Sequence, residues 1–295
     1  MSMLIAMALA MAGPTKEQAK QLGPVKDSQT VQLDSSAAYI LLRSPAPVPI
    51  NLFRVATPEE AEEYRLRRAD KLAKLHAKWR TEHARWEKNY KFWKEERADT
   101  RGPRPVEPVE PTDATLDIPP LDKENLIAFG PLFRFAKERG GSSTYLQRVW
   151  PGRYVVYGSV MLNPNGGTSG MCVCMGTIAF VAKAGEITDV GAVNAVMTDA
   201  LISPGMVDKA DAENVGKLRS GEMTMMRWTL PNASLPADPR LAAYKVVPAS
   251  FRPAGPVPNY FGVQVDRMTA IPGVLGYDRD KILDLTAAPA SAAAQ

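Results

Sequence analysis

Two hydrophobic rhythms divide this chain. Short apolar runs set off by Pro, Gly and Asn fill most of it, while one long stretch repeats its large side chains at helical spacing. The segment AAYILLRSPAPVPINLFRVA (37–56) holds two such runs around a proline-rich turn, which predicts two strands. Similar runs return at 126–138, 143–162 and 171–193, with Gly140-Gly141 and NPNGG (163–167) supplying hairpin turns. Residues 194–222 are mixed and predict some helix. EMTMMRWTLP, YKVVPASFRPA and NYFGVQVDRMTAIPGV then carry the strand pattern to residue 275.

The helical stretch announces its start. In ATPEEAEEY, Thr57 is placed to cap, Pro58 suits the first turn, and Glu60 completes a capping box. No Gly or further Pro follows before Asp99, and Gly102-Pro103 stop the pattern. This predicts one helix of about 42 residues, or ~63 Å at the α-helical rise. The strands before it are too few to stand alone and must pair with strands beyond it. Residues 57–124 are therefore expected to be an insertion. The predicted fold is mainly β with a helical insertion: a β-sandwich from 37–56 plus 125–193, carrying one long protruding helix backed by a Pro-rich extended segment. Residues 13–36 read as a linker, 194–285 as a further β and irregular region packed on the sandwich, and 286–295 as a disordered tail.

Within the helix, Leu72, His76, Trp79, His83, Trp86, Tyr90 and Trp93 alternate three and four apart, which is the spacing of a heptad seam. Three tryptophans bury ~200 Å² each when covered, so leaving half of that wet would forgo ~7 kcal/mol. Something must cover them. In RGPRPVEPVEPTDATLDIPP (101–120), Pro105, Pro108 and Pro111 fall on one edge of a polyproline II helix. Their repeat of ~9.3 Å approaches the ~10.5 Å of seven helical residues. An antiparallel return would set Pro105 near Trp93, Pro108 near Trp86 and Pro111 near Trp79, a packing similar to that of pancreatic-polypeptide hormones. A coiled-coil dimer through the stripe, or docking on the sandwich or another partner, would cover it equally well.

Charge and chemistry narrow the functional classes. Net charge is +4 with pI near 9.0, too mild to imply nucleic acid. Locally the picture differs: from Tyr64 to Lys94 eleven Lys and Arg face three acids, and Lys71, Lys74, Lys78, Arg85 and Lys88 form a candidate basic face. His76 and His83, the two histidines of the chain, are ~10.5 Å apart along the helix, too far to share an ion. No metal site, cofactor or His-assisted nucleophile is expected. NPNGGTSG lacks the lysine of a phosphate loop, and YDRDKILDL, with Asp278, Asp280 and Asp284, lacks the Gly and Glu of a calcium loop and reads as surface charge. Cys172 and Cys174 stand at i and i+2, ~6.6 Å apart on an extended strand, and read as two small buried hydrophobes.

The N-terminus, MSMLIAMALAMAGPTKEQ, carries an apolar run and a small-x-small pattern at Ala10-Met11-Ala12, so residues 1–12 are expected to be a signal peptide. The expected location is the periplasm or the cell exterior, or the cytoplasm if this segment is not a signal. RVWPGRYVVYGSV resembles the Pro-Gly-x-Tyr-x-Val hairpin of PEGA-type and related transthyretin-like exported bacterial β-sandwich modules, through Pro151, Gly152, Tyr154 and Val156. FVAKAGEITDVGAV, with Gly185 and Glu186, is similar to the strand-turn-strand that follows in such modules. The resemblance implies a surface-anchoring or binding domain without catalytic residues. The expected function is an exported non-enzymatic binding or structural module whose basic arm attaches to an anionic surface or a protein partner, with a homo-oligomer through the arm as one form of assembly. An envelope-associated hydrolase is the alternative.

Overall fold

The computed structural model describes residues 22–44, 49–97, 102–137, 143–162, 166–195, 226–232 and 235–287. The expected signal peptide at residues 1–12, the Gly140-Gly141 turn, most of NPNGG, most of the mixed segment 194–222 and most of the expected tail lie outside the described residues. The chain divides into two units, residues 56–124 and the remainder.

The larger unit is β. It begins with β1 (Gly23–Pro24), β2 (Ala38–Ser44) and β3 (Ile50–Arg54) and resumes with β4 (Leu126–Phe129), β5 (Ala136–Lys137), β6 (Ser143–Val149), β7 (Gly152–Leu162) and β8 (Thr168–Cys172). There follow β9 (Thr177–Ala182), β10 (Ile187–Ala195), β11 (Met226–Thr229), β12 (Val246–Pro248), β13 (Arg252–Ala254), β14 (Gln264–Val265), β15 (Leu275–Asp278) and β16 (Lys281–Asp284). Among the described residues the first sheet runs β1-β6-β2-β10-β11, with β5 joined to β6 and β12 to β10. The second runs β13-β9-β7-β3-β4, with β8 and then β14 added beside β7. β15 and β16 pair as a hairpin.

The sheets face each other. Ile40 and Leu42 of β2 and Val190 of β10 meet Leu52 of β3, Tyr154 and Val156 of β7 and Phe180 of β9 in one shared core. Both outer faces are covered as well. Tyr39, Leu41 and Leu146 pack under Phe135 and Leu241, while Phe53, Val155 and Tyr157 pack under Val263, Tyr260 and Phe261. Every residue of β2 and β3 is therefore buried, which is why AYILLRS and INLFR show no polar alternation.

Burial on both faces puts Arg43 in the interior, and it is satisfied there. Its guanidinium forks onto Asp189 at 2.8 and 3.0 Å, and also donates to the Pro236 carbonyl at 3.1 Å. Asp189 in turn accepts from the Gly191 N–H at 2.8 Å, where the β2–β10 register shifts. A second irregularity lies opposite Asn51, whose side-chain oxygen accepts from Val160 N–H at 2.7 Å. Beside it Gly158 has φ 143°, and a Cβ there would collide with the Met171 carbonyl, so the close strand approach requires glycine.

Two expectations need correction. Strands β11 to β14 belong to the two sheets themselves and are not a region packed upon them. Their lengths of two to four residues are too short to display a period. YDRDKILDL keeps Asp278, Asp280 and Asp284 exposed, as expected of surface charge, while its backbone contributes to the β15–β16 hairpin. Cys172 and Cys174 are joined in a disulfide. Cys172 ends β8, and the chain turns at once rather than staying extended, which brings the two Cα atoms to 5.1 Å.

Candidate functional site

The smaller unit is built on α1 (Pro58–Glu95). Its start is the capping box foreseen above: Thr57 Oγ1 accepts from Glu60 N–H at 3.3 Å, and the Glu60 carboxylate accepts from Thr57 N–H at 2.9 Å. The helix stops at Glu95, four residues short of the expected end. A return segment follows from Gly102, with a single 3-10 turn at Asp113–Thr115 and the one-turn helix α2 (Leu121–Glu124).

No residue of α1 is fully buried, yet one stripe is consistently half-covered: Leu72, His76, Trp79, His83, Trp86, Tyr90 and Trp93. Pro105, Pro108 and Pro111 are half-covered in the same way, while Val106, Glu107, Val109 and Glu110 between them are exposed. That three-residue alternation is the signature of a polyproline II edge. The two stripes meet through the indoles. Trp93 Nε1–H donates to the Gly102 carbonyl at 2.7 Å, Trp86 to Pro105 at 3.2 Å, and Trp79 to Pro108 at 3.0 Å.

The chemistry of this match is specific. A polyproline II backbone makes no internal hydrogen bonds, so its carbonyls are free to accept. Tryptophan is a donor-only side chain that needs a partner once partly desolvated. Each step is three residues on the return segment against seven on the helix. Each such bond contributes roughly 1 kcal/mol net.

The register differs from the expected one by a rung. Pro105 serves Trp86 instead of Trp93, and Pro108 serves Trp79 instead of Trp86. Ending the helix at Glu95 removes about 6 Å from the outward path, so the return begins beside Trp93 with Gly102. The stripe that reads as a coiled-coil seam thus faces the chain's own return segment.

Along the helix the rings form one column. His76 meets Trp79 edge-on at 6.5 Å, and His83 lies 4.9 Å from Trp79 and 5.2 Å from Trp86. Tyr90 stacks on Trp86 at 5.1 Å and on Trp93 at 5.8 Å. Lys94 and Arg104 lie over the Tyr90 ring, 4.5 and 5.2 Å from its centre. The two histidines face carboxylates of the return segment: His76 lies 3.5 Å from Glu110, and His83 lies 3.4 Å from Glu107. Each imidazole is thus occupied by its own neighbours. Among the described residues no group of three or more His, Cys, Asp and Glu side chains is placed to hold a metal ion.

Toward the N-terminal half of α1 the basic residues are drawn onto the return segment. Arg68 bridges to Asp113 at 2.8 Å, and this acid, with the Tyr64 hydroxyl, raises the guanidinium above its ordinary pKa. Tyr64 donates to the Pro119 carbonyl at 2.8 Å, Lys71 to that of Asp117 at 2.7 Å, and Arg67 pairs with Glu124 at 2.6 Å. Lys74 is held by Asp70 and Lys78 by Glu82. Of the five residues of the predicted basic face, Lys71, Lys74 and Lys78 are therefore engaged. Arg85 and Lys88 are exposed and without an ion partner among the described residues.

Residues 56–124 carry fifteen Lys and Arg against sixteen Asp and Glu, so the local excess of the helix is balanced within the unit. What distinguishes the arm is the separation of its charges, not their sum.

Comparison with protein-family models, curated proteins and solved structures returns no match. The residues of the chain must speak for themselves.

Two features escape a sequence reading. Phe92 is 68% exposed and stands on the same face as Arg85 and Lys88, at i+7 and i+4 respectively. Its single aromatic ring off the stripe was the available signal. Glu107 and Glu110 fall between the prolines, where PVEPVEP marks the pattern but not which rung each acid faces.

Proposed function

We propose that the protein is an exported, non-enzymatic binding or structural module that attaches to an anionic envelope surface or an acidic partner through the outer face of α1. The observation that carries this reading is the pairing of a braced helix with an unneutralised outer strip. One face of α1 is clamped by three indole–carbonyl bonds, and the face bearing Arg85, Lys88 and Phe92 is left open. Cations flanking one exposed aromatic ring suit the headgroup layer of an anionic membrane, where the ring enters the interface and the charges meet phosphates. The Cys172–Cys174 disulfide fits an oxidising compartment and so supports export.

The same reading keeps the protein with the PEGA-type and transthyretin-like modules it resembles. The residues behind that resemblance serve the sandwich: Pro151 and Gly152 turn the chain between β6 and β7, and Tyr154 and Val156 enter the core.

Co-sedimentation of the full chain with phosphatidylglycerol-containing vesicles tests the proposal. Replacing Arg85 and Lys88 together by Gln removes about 1 kcal/mol per charge, so binding falls roughly thirtyfold. The pair Lys71→Gln and Lys74→Gln, whose cations are already engaged, has a smaller effect. Equal affinity of the Arg85/Lys88 variant and the parent, or indifference to salt, refutes the attachment face.

A further inference from the structure

We propose that the sandwich carries a separate binding site for a small anionic sugar, one bearing a carboxylate or phosphate. The site is a cleft of about 610 Å³, within the size range of small-molecule sites. Residues of both sheets line it, around the two places where the chain crosses between them: 183–186, from β9 to β10, and 249–251, from β12 to β13.

The charges at this cleft are asymmetric in their commitments. Its two acids are both held. Glu186 is bound by Lys245 outside the cleft, and that contact keeps its carboxyl below the usual range. Asp284 accepts from the Thr286 hydroxyl and N–H at 2.6 and 2.8 Å and lies 3.7 Å from Arg252. Arg153 and Lys183, by contrast, are exposed cations with no hydrogen bond or ion pair among the described residues, although the charge of Lys183 reaches Glu186 and helps to hold its carboxyl low. Arg153 stands opposite Val181 in the β7–β9 pairing, and Lys183 follows Val181 by two. Strand alternation therefore places both cations on the same side, flanking one apolar residue.

That spacing offers one anionic group two donors with an apolar floor between them. Pro248 and Pro253 add further apolar wall, suited to the C–H faces of a sugar ring. Thr188, also lining the cleft, has a buried hydroxyl that finds no hydrogen-bond partner among the described residues. Two exposed cations that make no ion pair, two acids already held and an apolar wall together select a small hydroxylated anion. Neutral sugars and cations gain nothing from the pair at the rim.

The site is independent of α1, and the test keeps the two apart. Glucuronate, glucose 6-phosphate and glucose are titrated into the labelled full chain, following amide shifts and saturation transfer to the sugar. Either anion, or both, is expected to bind in preference to glucose and to shift residues 179–188 and 246–253, and the arm that responds names the anionic group. Arg153→Gln with Lys183→Gln, both exposed and tolerant of change, is expected to weaken anion binding by at least about tenfold. Arg85→Gln with Lys88→Gln on the helix is expected to leave it unchanged. Binding of glucose as well as the two anions, retention of affinity within about twofold in the Arg153/Lys183 variant, or shifts confined to residues outside the cleft overturns the proposal.

Discussion

Replacing Trp86 by Ala is the most direct trial of the ladder. Trp86 is half-covered, sits 5.2 Å from His83 and 5.1 Å from Tyr90, and donates to the Pro105 carbonyl. Half of a ~200 Å² side chain is ~100 Å², or about 2.5 kcal/mol of apolar burial. The lost indole bond adds about 1 kcal/mol, and the better helix propensity of Ala returns about 0.5. The clasp should therefore loosen by about 3 kcal/mol, on the order of a hundredfold in its open population.

Hydrogen exchange at the indole N–H groups of the full chain reads this directly. If the three rungs close as one unit, Trp79 and Trp93 exchange about a hundredfold faster in the Trp86→Ala variant. Trp228, whose N–H donates to the Val190 carbonyl at 2.7 Å inside the sandwich, is the internal reference and should not change. Trp86→Phe keeps most of the ring and loses the donor, so its effect should be nearer fivefold, the equivalent of about 1 kcal/mol. Exchange at Trp79 and Trp93 within about twofold of the parent would show rungs that act singly, and the braced arm would have to be abandoned.

Arg43→Met should cost about 3–5 kcal/mol in a guanidinium melt, since it strands the buried Asp189; adding Asp189→Leu should return much of that loss. Tyr277 is the pH-sensitive point of the hairpin. Burial pushes its phenol up to about 12. The folded state thus holds this proton more tightly than the unfolded chain, and the associated stability is full below pH ~10 and lost as pH climbs toward about 12. An ultraviolet titration should show one late-titrating tyrosine fewer in Tyr277→Phe, and that variant should lose less stability across the same window. Finally, the unfolded, unreduced chain should present no reactive thiol and the reduced chain two.

The arm was legible because each of its signals is local. Thr57, Pro58 and Glu60 specify a helix start within four residues, and the seven-residue ladder specifies which face must be covered. The partner segment was legible too, since PVEPVEP has the one repeat that keeps pace with a helical heptad. The rung was not. It depends on where the helix ends, and the run Glu95-Glu96-Arg97 is as good a helix as the residues before it. Four residues of error at a terminus are ~6 Å, more than half a step and enough to carry the pairing to the next rung.

In the sandwich the limits are of another kind. Strands β2 and β3, one in each sheet, declared themselves by apolar density, but burial on both faces hid Arg43, whose partner is 146 residues away. The disulfide was missed because an extended backbone was assumed through Val173, where the chain turns instead. The sugar cleft draws Arg153, Lys183, Thr188, Val247 and Arg252 from five segments with no common spacing. Nothing in a one-dimensional pattern could assemble them.

This contrast bears on function. The arm's chemistry lies within one continuous stretch and uses a repeat, whereas the cleft's chemistry exists only after β7, β9, β10, β12 and β13 have been brought together. Loss of the fold would abolish the second and could spare the first. The two sites are therefore separable in principle: a chain lacking residues 57–124 tests the cleft alone, provided β3 still pairs with β4 across the new junction. Retained preference for an anionic sugar with lost vesicle binding in that chain would assign one ligand class to each unit.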